Sequence, residues 1–206
     1  METQQHNLPV PLFAEPTPMG LIGLAVGCAA LAPIALGLTL TPAALKTAAI
    51  LCLLFGGGCQ FLAGAMSLAN KNLYGGTLFT AFAFNWVMNW WILTSIANGL
   101  MPDHHVLLFV DCCFLVIFAA MTYGFGFFSG LLFLFLLVID LMYVFKIIAG
   151  LTGTAALALP IAALTILLGV IALWIAFALL LNPVAGRRLF WFPGPVFRAA
   201  PPAQKA

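Results

Sequence analysis

Charged side chains are scarce in this chain. Only 6% of its 206 residues are Asp, Glu, Lys or Arg, whereas about 25% of an ordinary soluble domain is charged. A soluble protein of this length needs polar groups over its whole surface, and so few charges cannot supply them. Hydrophobic residues make up 65% of the sequence. Most side chains are therefore expected to be surrounded by lipid, as in an integral membrane protein.

Signals for catalysis and for cofactor binding are also missing. The net charge is only +2 and no basic run occurs, which argues against a nucleic-acid partner. None of the five cysteines belongs to a CxxC pair, and they are expected to be small packing residues. They are Cys28, Cys52, Cys59, Cys112 and Cys113. Without a catalytic triad, a metal-ligand cluster or a P-loop, we predict no enzyme activity, no catalytic residue, no metal and no cofactor.

Six apolar runs are long enough to cross the hydrocarbon core, which takes about 20 helical residues. They cover residues 19–40, 44–68, 76–98, 105–124, 127–149 and 156–181. The fold class is therefore predicted to be an all-α bundle of six transmembrane helices. An N-terminal segment, 1–18, precedes the transmembrane domain, 19–182, and a C-terminal tail, 183–206, follows it. The division at Gly124–Gly126 has the weakest sequence signal because it contains no polar loop.

The basic residues predict the orientation. An even number of spans places both ends of the chain on one side of the membrane. That side carries Lys71, Arg187, Arg188, Arg198 and Lys205, whereas the other carries Lys46 and Lys146. Because basic residues favour the cytoplasmic side, we predict a multi-pass protein of the cell inner (plasma) membrane with both termini in the cytoplasm.

Two carboxylates fall at membrane depth, where charge is costly enough to suggest function. Asp111 lies in the fourth span and Asp140 in the fifth. Lys146 follows Asp140 by six residues, on a different helix face, so a pair within the helix is not indicated. Asp111 and Asp140 either hydrogen-bond to neighbouring helices or take part in a proton relay or solute contact.

Several uncharged polar residues also lie in the apolar runs. Asn85 and Asn89 share a face of the third span, with Thr80 nearby on the same helix, and amides there can line a water-filled path or join two helices. Gln60 follows three glycines, which favour close helix packing. Trp86 suits either a pore lining or the membrane interface. The remaining polar pair, His104 and His105, is expected to lie in a solvated loop and not at a metal site.

Three segments carry a family resemblance. Residues 15–21, EPTPMGL, resemble the NPAPLGL signature of the acetate uptake transporter family, which includes the succinate–acetate permease. Residues 55–64, FGGGCQFLAG, are similar to its YGGxxQxxAG segment. Residues 72–86 resemble its GNTFGxTAFxSYGxFW segment, and a weaker match runs from 148–150 to Asn182.

The resemblance implies a six-helix bundle that encloses its own pore and assembles as a cyclic homohexamer. It implies transport of acetate, similar small monocarboxylates or succinate, coupled to protons, with membrane lipid as the surrounding partner. The family's three constriction positions fall on Leu24, Phe82 and Leu136. Since the first lacks an aromatic ring and the second a hydroxyl, the constriction should be apolar, wider at Leu24 and drier at Phe82.

The chain also departs from the family pattern. Two family glutamates are replaced by Ser67 and Leu179, whereas Asp111 and Asp140 stand at positions that are apolar in the family. By the transport hypothesis, a proton neutralises the carboxylate as it crosses the constriction. Asp140 and Asp111 are then the candidate titrating groups. The polar residues expected along the solute path are Gln60, Thr80, Asn85 and Asn72.

Two other functions fit the sequence. One is a passive channel for a small neutral solute such as urea, a short amide or ammonia, which needs no coupling carboxylate. The other is a membrane assembly or sensor subunit that transports nothing and whose spans serve only for packing. The second predicts no continuous pore.

Overall fold

The computed structural model describes residues 11–198, and all of the regular structure within that range is helical. The helices follow one another along the chain as α1 (Thr17–Ala35), α2 (Pro42–Leu51), a π-helical segment (Cys52–Cys59), α3 (Gln60–Ala69), α4 (Leu73–Ala97), α5 (His104–Phe125), α6 (Gly130–Thr152) and α7 (Ala158–Ala185). The all-α prediction is confirmed for this part of the chain.

Short polar residues begin the helices where the sequence indicated breaks. The Thr41 hydroxyl accepts from the Ala44 N–H at 3.2 Å, and the Asn72 amide oxygen accepts from the Gly75 N–H at 2.9 Å. Asp103 does the same for α5. These side chains satisfy backbone donors that would otherwise lack a partner at each helix start. The three caps therefore mark where a new helix begins after an apolar run.

Five helical segments of the described chain are long and apolar enough to span a membrane. They are Thr17–Ala35, Pro42–Ala69, His104–Phe125, Gly130–Thr152 and Ala158–Ala185. The remaining long helix, α4, has 25 residues, but its glycine, threonine, asparagine and tryptophan residues lower its mean hydropathy. Five spans are thus supported, and the sixth stays a prediction.

Some helix ends differ from the predicted ones. α1 ends at Ala35 rather than near residue 40, and Gly37 follows with a φ of +70°. α7 continues through Pro183 to Ala185, because Gly186, with a φ of +61°, ends it instead. α5 begins at His104, so the two histidines are helical and not in a loop. The uncertain division after Phe125 is confirmed.

The helices form two groups that are joined where α1 packs on α7. The first group contains α2, the π-helical segment, α3 and α4, and the second contains α5 and α6. α1 packs along α7 and also against the π-helical segment, while α2, the π-helical segment and α3 pack on α4. α5 packs on α6, and α6 on α7. Long side chains from α4 reach α5 and α6 across the space between the groups. The internal cavities lie in this space.

The π-helical segment holds the indole of Trp86 against α1. A Cβ atom at Gly56 would lie 2.6 Å from Cγ of Trp86, and one at Gly27 would lie 2.8 Å from its Cη2. Trp86 is accordingly buried, which excludes the interfacial position considered above. Glycine at these two positions lets both backbones approach the ring closely.

Gly56→Ala should therefore destabilise the protein, by about 1–3 kcal/mol, because the rigid base of the indole cannot move away from the added methyl group. Gly58→Ala is the matched control, since its nearest contact would be 3.8 Å, to the Leu53 carbonyl oxygen. Thermal unfolding of the purified proteins in one detergent measures both. Equal midpoints for the two variants would contradict the close packing at Gly56.

Candidate solute path

One internal cavity, called the first cavity below, opens at the end of the bundle where α1 begins and α7 ends. Its volume is about 240 Å³, which is large compared with the ~30 Å³ of one water molecule. Most of its lining is aromatic or leucine side chains, so that a solute entering it leaves bulk water. The apolar lining consists of Leu21, Leu78, Phe79, Phe82, Phe125, Phe128, Leu132, Phe135, Leu136, Leu179 and Phe192.

Gln60 is the buried polar group of the first cavity. It lines the cavity and is only 1% exposed. Neither its Nε2 nor its Oε1 finds a hydrogen-bond partner among the residues that the structure describes. A buried amide without partners costs about 1–3 kcal/mol per unmade bond. Gln60 thus presents one free donor group and one free acceptor to whatever enters.

Polar residues also stand at the mouth of the first cavity. Glu15 and Thr17 line it, and the Glu15 carboxylate accepts hydrogen bonds from the Thr17 hydroxyl and backbone N–H. Asn72 lines it too, but its oxygen is already used to cap α4. The mouth is therefore polar and bears a carboxylate, while the interior is apolar.

The second cavity lies towards the opposite end of the bundle and measures about 210 Å³. Within it the Asn85 amide donates to the Tyr143 hydroxyl at 2.9 Å, and the Asn89 amide donates to the Asn85 carbonyl oxygen at 3.0 Å. Lys146 also lines the cavity. Two buried atoms of the lining residues, Oδ1 of Asn85 and Nε1 of Trp86, find no partner within the described chain.

The three predicted constriction positions, here called the apolar layer, lie where the lining of the first cavity gives way to that of the second along α1, α4 and α6. Leu24, Phe82 and Leu136 are each no more than 4% exposed. Phe82 and Leu136 form part of the wall of the first cavity, and the lining of the second begins one or two turns further along each helix. The ring of Phe82 stacks on that of Phe118, with centroids 4.4 Å apart and planes 14° apart.

The other predicted site residues lie away from the two cavities. The Thr80 hydroxyl donates to the Gly76 carbonyl oxygen at 2.8 Å, on the side of α4 that packs on Gly64 of α3. Asp140 accepts from the Thr122 hydroxyl at 2.6 Å and lines neither cavity.

Among the cysteines, Cys28 and Cys52 are buried, but Cys112 and Cys113 are exposed on the single chain and do not pack within it.

Three contributors were missed in the sequence. Phe118 supports the apolar layer, Tyr143 bonds to Asn85, and Lys146 forms an ion pair with Asp111 at 2.8 Å. A single aromatic residue in an aromatic-rich helix carries no distinguishing signal. Lys146 did have one, because it is a lone cation opposite a lone anion on consecutive spans.

The described helices indicate a multi-pass, all-helical membrane protein that contains internal cavities with buried apolar side chains between them. No family model matches the sequence, and no curated protein matches it. Its fold is similar to a solved structure described as "Structure of the bacterial acetate channel SatP", with a TM-score of 0.78 and 23% identity. The match covers 87% of this chain and 99% of the other. The fold that the motif resemblance implied is therefore confirmed as an overall arrangement of helices.

Proposed function

We propose that this protein conducts acetate and similar small monocarboxylates across a membrane. The observation that carries the proposal is the unpartnered amide of Gln60, buried in a cavity directly before the apolar layer. The likeness to a fold that is described as an acetate channel supports it. A solute that hydrogen-bonds to Gln60 would offset the desolvation that the empty amide otherwise suffers.

The chemistry of Gln60 matches a protonated carboxylic acid. The acid has one O–H donor and one carbonyl acceptor side by side, and a primary amide offers the complementary pair. The carboxylate at Glu15 disfavours an anion at the mouth of the same cavity. Crossing the layer as the neutral acid also avoids placing a charge in an apolar constriction. Movement of acetate together with a proton follows from these three points.

The proposal has structural components. We infer that α4 forms a sixth span despite its lower hydropathy, because it lines both cavities between helices that do span. We also infer a homohexamer with one path per protomer, placed in the inner membrane with both ends cytoplasmic. Succinate is a second candidate solute on the basis of the motif resemblance.

A neutral-solute channel is the alternative with a specific observation in its favour. The donor and acceptor of Gln60 also suit urea or a short amide, and the family glutamates are replaced by Ser67 and Leu179. Such a channel needs no proton and would pass urea as fast as acetate.

Flux into proteoliposomes tests these functions. Acetate, formate, succinate and urea are offered to liposomes with and without protein, in the presence and absence of an inward proton gradient. We expect protein-dependent acetate uptake that rises with the gradient and exceeds urea uptake. Urea flux without acetate flux would establish the neutral channel instead, and no flux of any solute would favour the non-transporting subunit.

A further inference from the structure

An ion pair joins α5 to α6 inside the apolar part of the bundle. Nζ of Lys146 lies 2.8 Å from Oδ1 of Asp111, and the two side chains are 34% and 13% exposed. Charges at membrane depth are costly, and a pair is tolerated mainly when each group has a partner. A pair that served only to hold two helices together could be replaced by apolar residues at little cost.

The lysine of this pair belongs to the second cavity. Lys146 lines it and Asp111 does not, so the lysine is the partner whose side chain faces the cavity. The same Nζ lies 4.7 Å from the ring centroid of Tyr143. The Tyr143 hydroxyl in turn accepts from the Asn85 amide. The cation is therefore fixed at the edge of a cavity that already contains a polar network.

No other charged residue lines the second cavity in the part of the chain that the structure describes. An anion inside the cavity would lie nearer to Lys146 than to Asp111 and would be attracted on balance. A neutral solute of the same shape would feel little of this field. The first cavity has a lining charge of the opposite sign, because its charged lining residue is Glu15.

We propose that the second cavity binds a small carboxylate as the anion, which exchanges a proton with water before or after it crosses the apolar layer as the neutral acid. Lys146 is the binding cation and Asp111 is a positioning residue. Asp111 holds the ammonium at the cavity edge and partly neutralises it. The attraction for an anion is thereby weaker than a lysine without this partner would give. This proposal rests on the proposed function for the direction of travel, but the binding site itself does not depend on transport.

Acetate and acetamide separate charge from shape, because they have nearly the same shape and differ in charge at neutral pH. Their protein-dependent fluxes into proteoliposomes are compared in low salt and expressed as a ratio. Lys146→Met should lower the acetate-to-acetamide ratio by about tenfold, because it leaves the carboxylate of Asp111 unpaired beside the cavity. Asp111→Asn should raise the ratio several-fold, and the double variant should lie between the two.

The controls separate charge from folding. Lys146→Arg keeps the positive charge and should keep the ratio within about twofold of the wild type. Lys46→Met removes an exposed lysine of α2 and should leave the ratio unchanged. High salt should reduce the differences between variants. Ratios that stay constant in both Lys146→Met and Asp111→Asn, or losses of both fluxes alike, would overturn the site.

A binding measurement distinguishes failure of this site from failure of the proposed function. The purified protein in detergent is titrated with sodium acetate, and its thermal midpoint is followed with sodium gluconate as the ionic-strength control. Stabilisation of the wild type and of Lys146→Arg, but not of Lys146→Met, would support the site even if no transport occurs. Equal responses of all three proteins would contradict it, whatever the flux assay shows.

Discussion

Replacing Phe82 with alanine should raise acetate flux through the reconstituted protein by about tenfold or more. The ring closes the apolar layer and stacks on Phe118 at 4.4 Å. Its removal would join the first cavity to the second and let water follow the solute. A barrier lower by only about 1.4 kcal/mol is sufficient for a tenfold increase. Butyrate should gain more than acetate, because the constriction then admits a larger chain.

Phe84→Ala is the matched control for this change. Phe84 is on the same helix but is 58% exposed and lines neither cavity, so its loss should leave flux per incorporated protein unchanged. A buried Phe→Ala change costs about 3–5 kcal/mol of stability. Phe82→Leu is therefore measured as well and should give a smaller rise. If folded Phe82 variants conduct no faster than the wild type, the main barrier lies elsewhere.

Gln60→Leu should reduce acetate flux at least tenfold and yet stabilise the protein. The side chain is buried and both polar atoms lack partners within the described chain. Leucine removes their desolvation penalty, which gives a gain of about 1–3 kcal/mol. It also removes the hydrogen bonds that a solute would make before the apolar layer. Proteoliposome flux and thermal unfolding in detergent measure the two effects on one preparation.

Ser67→Ala provides the matched control for Gln60→Leu. Ser67 is on the same helix, is fully buried and has a hydroxyl without a partner in residues 11–198, but it lines neither cavity. Its replacement should leave flux unchanged, with equal or slightly higher stability. A Gln60→Leu protein that is more stable and conducts normally would show that the amide is not part of the path.

Local sequence features predicted the helices well because a membrane span depends on its own residues. Apolar runs bounded by Thr41, Asn72 and Asp103 gave the helix starts to within a few residues, since capping side chains act on their own helix. The ends at Ala35 and Ala185 were harder, because glycines beyond them, not the prolines, end the helices.

Contacts between helices were less accessible to prediction. Thr80 was expected along the solute path with Asn85, but five residues separate them by about 140° round the helix, and Thr80 faces Gly64 of α3. The ion pair could have been found: Asp111 and Lys146 lie at similar distances from the turn joining α5 to α6, and an antiparallel hairpin brings such positions to one level. Asp140 shows the limit, since only the structure reveals its bond to Thr122.

In the π-helical segment, Cys52–Cys59, the number of residues is as important as the identity of Gly56. Each residue added to or removed from a helix turns everything beyond it by about 100°. One deletion between Cys52 and Gly56 would instead let this segment return to α-helix and would take Gly56 out of register with Trp86, although no side chain of the path had changed. Substitutions at exposed positions such as Leu54 and Phe55 leave the register intact. During divergence, this stretch should therefore tolerate replacements at its exposed positions but retain Gly56 and its length.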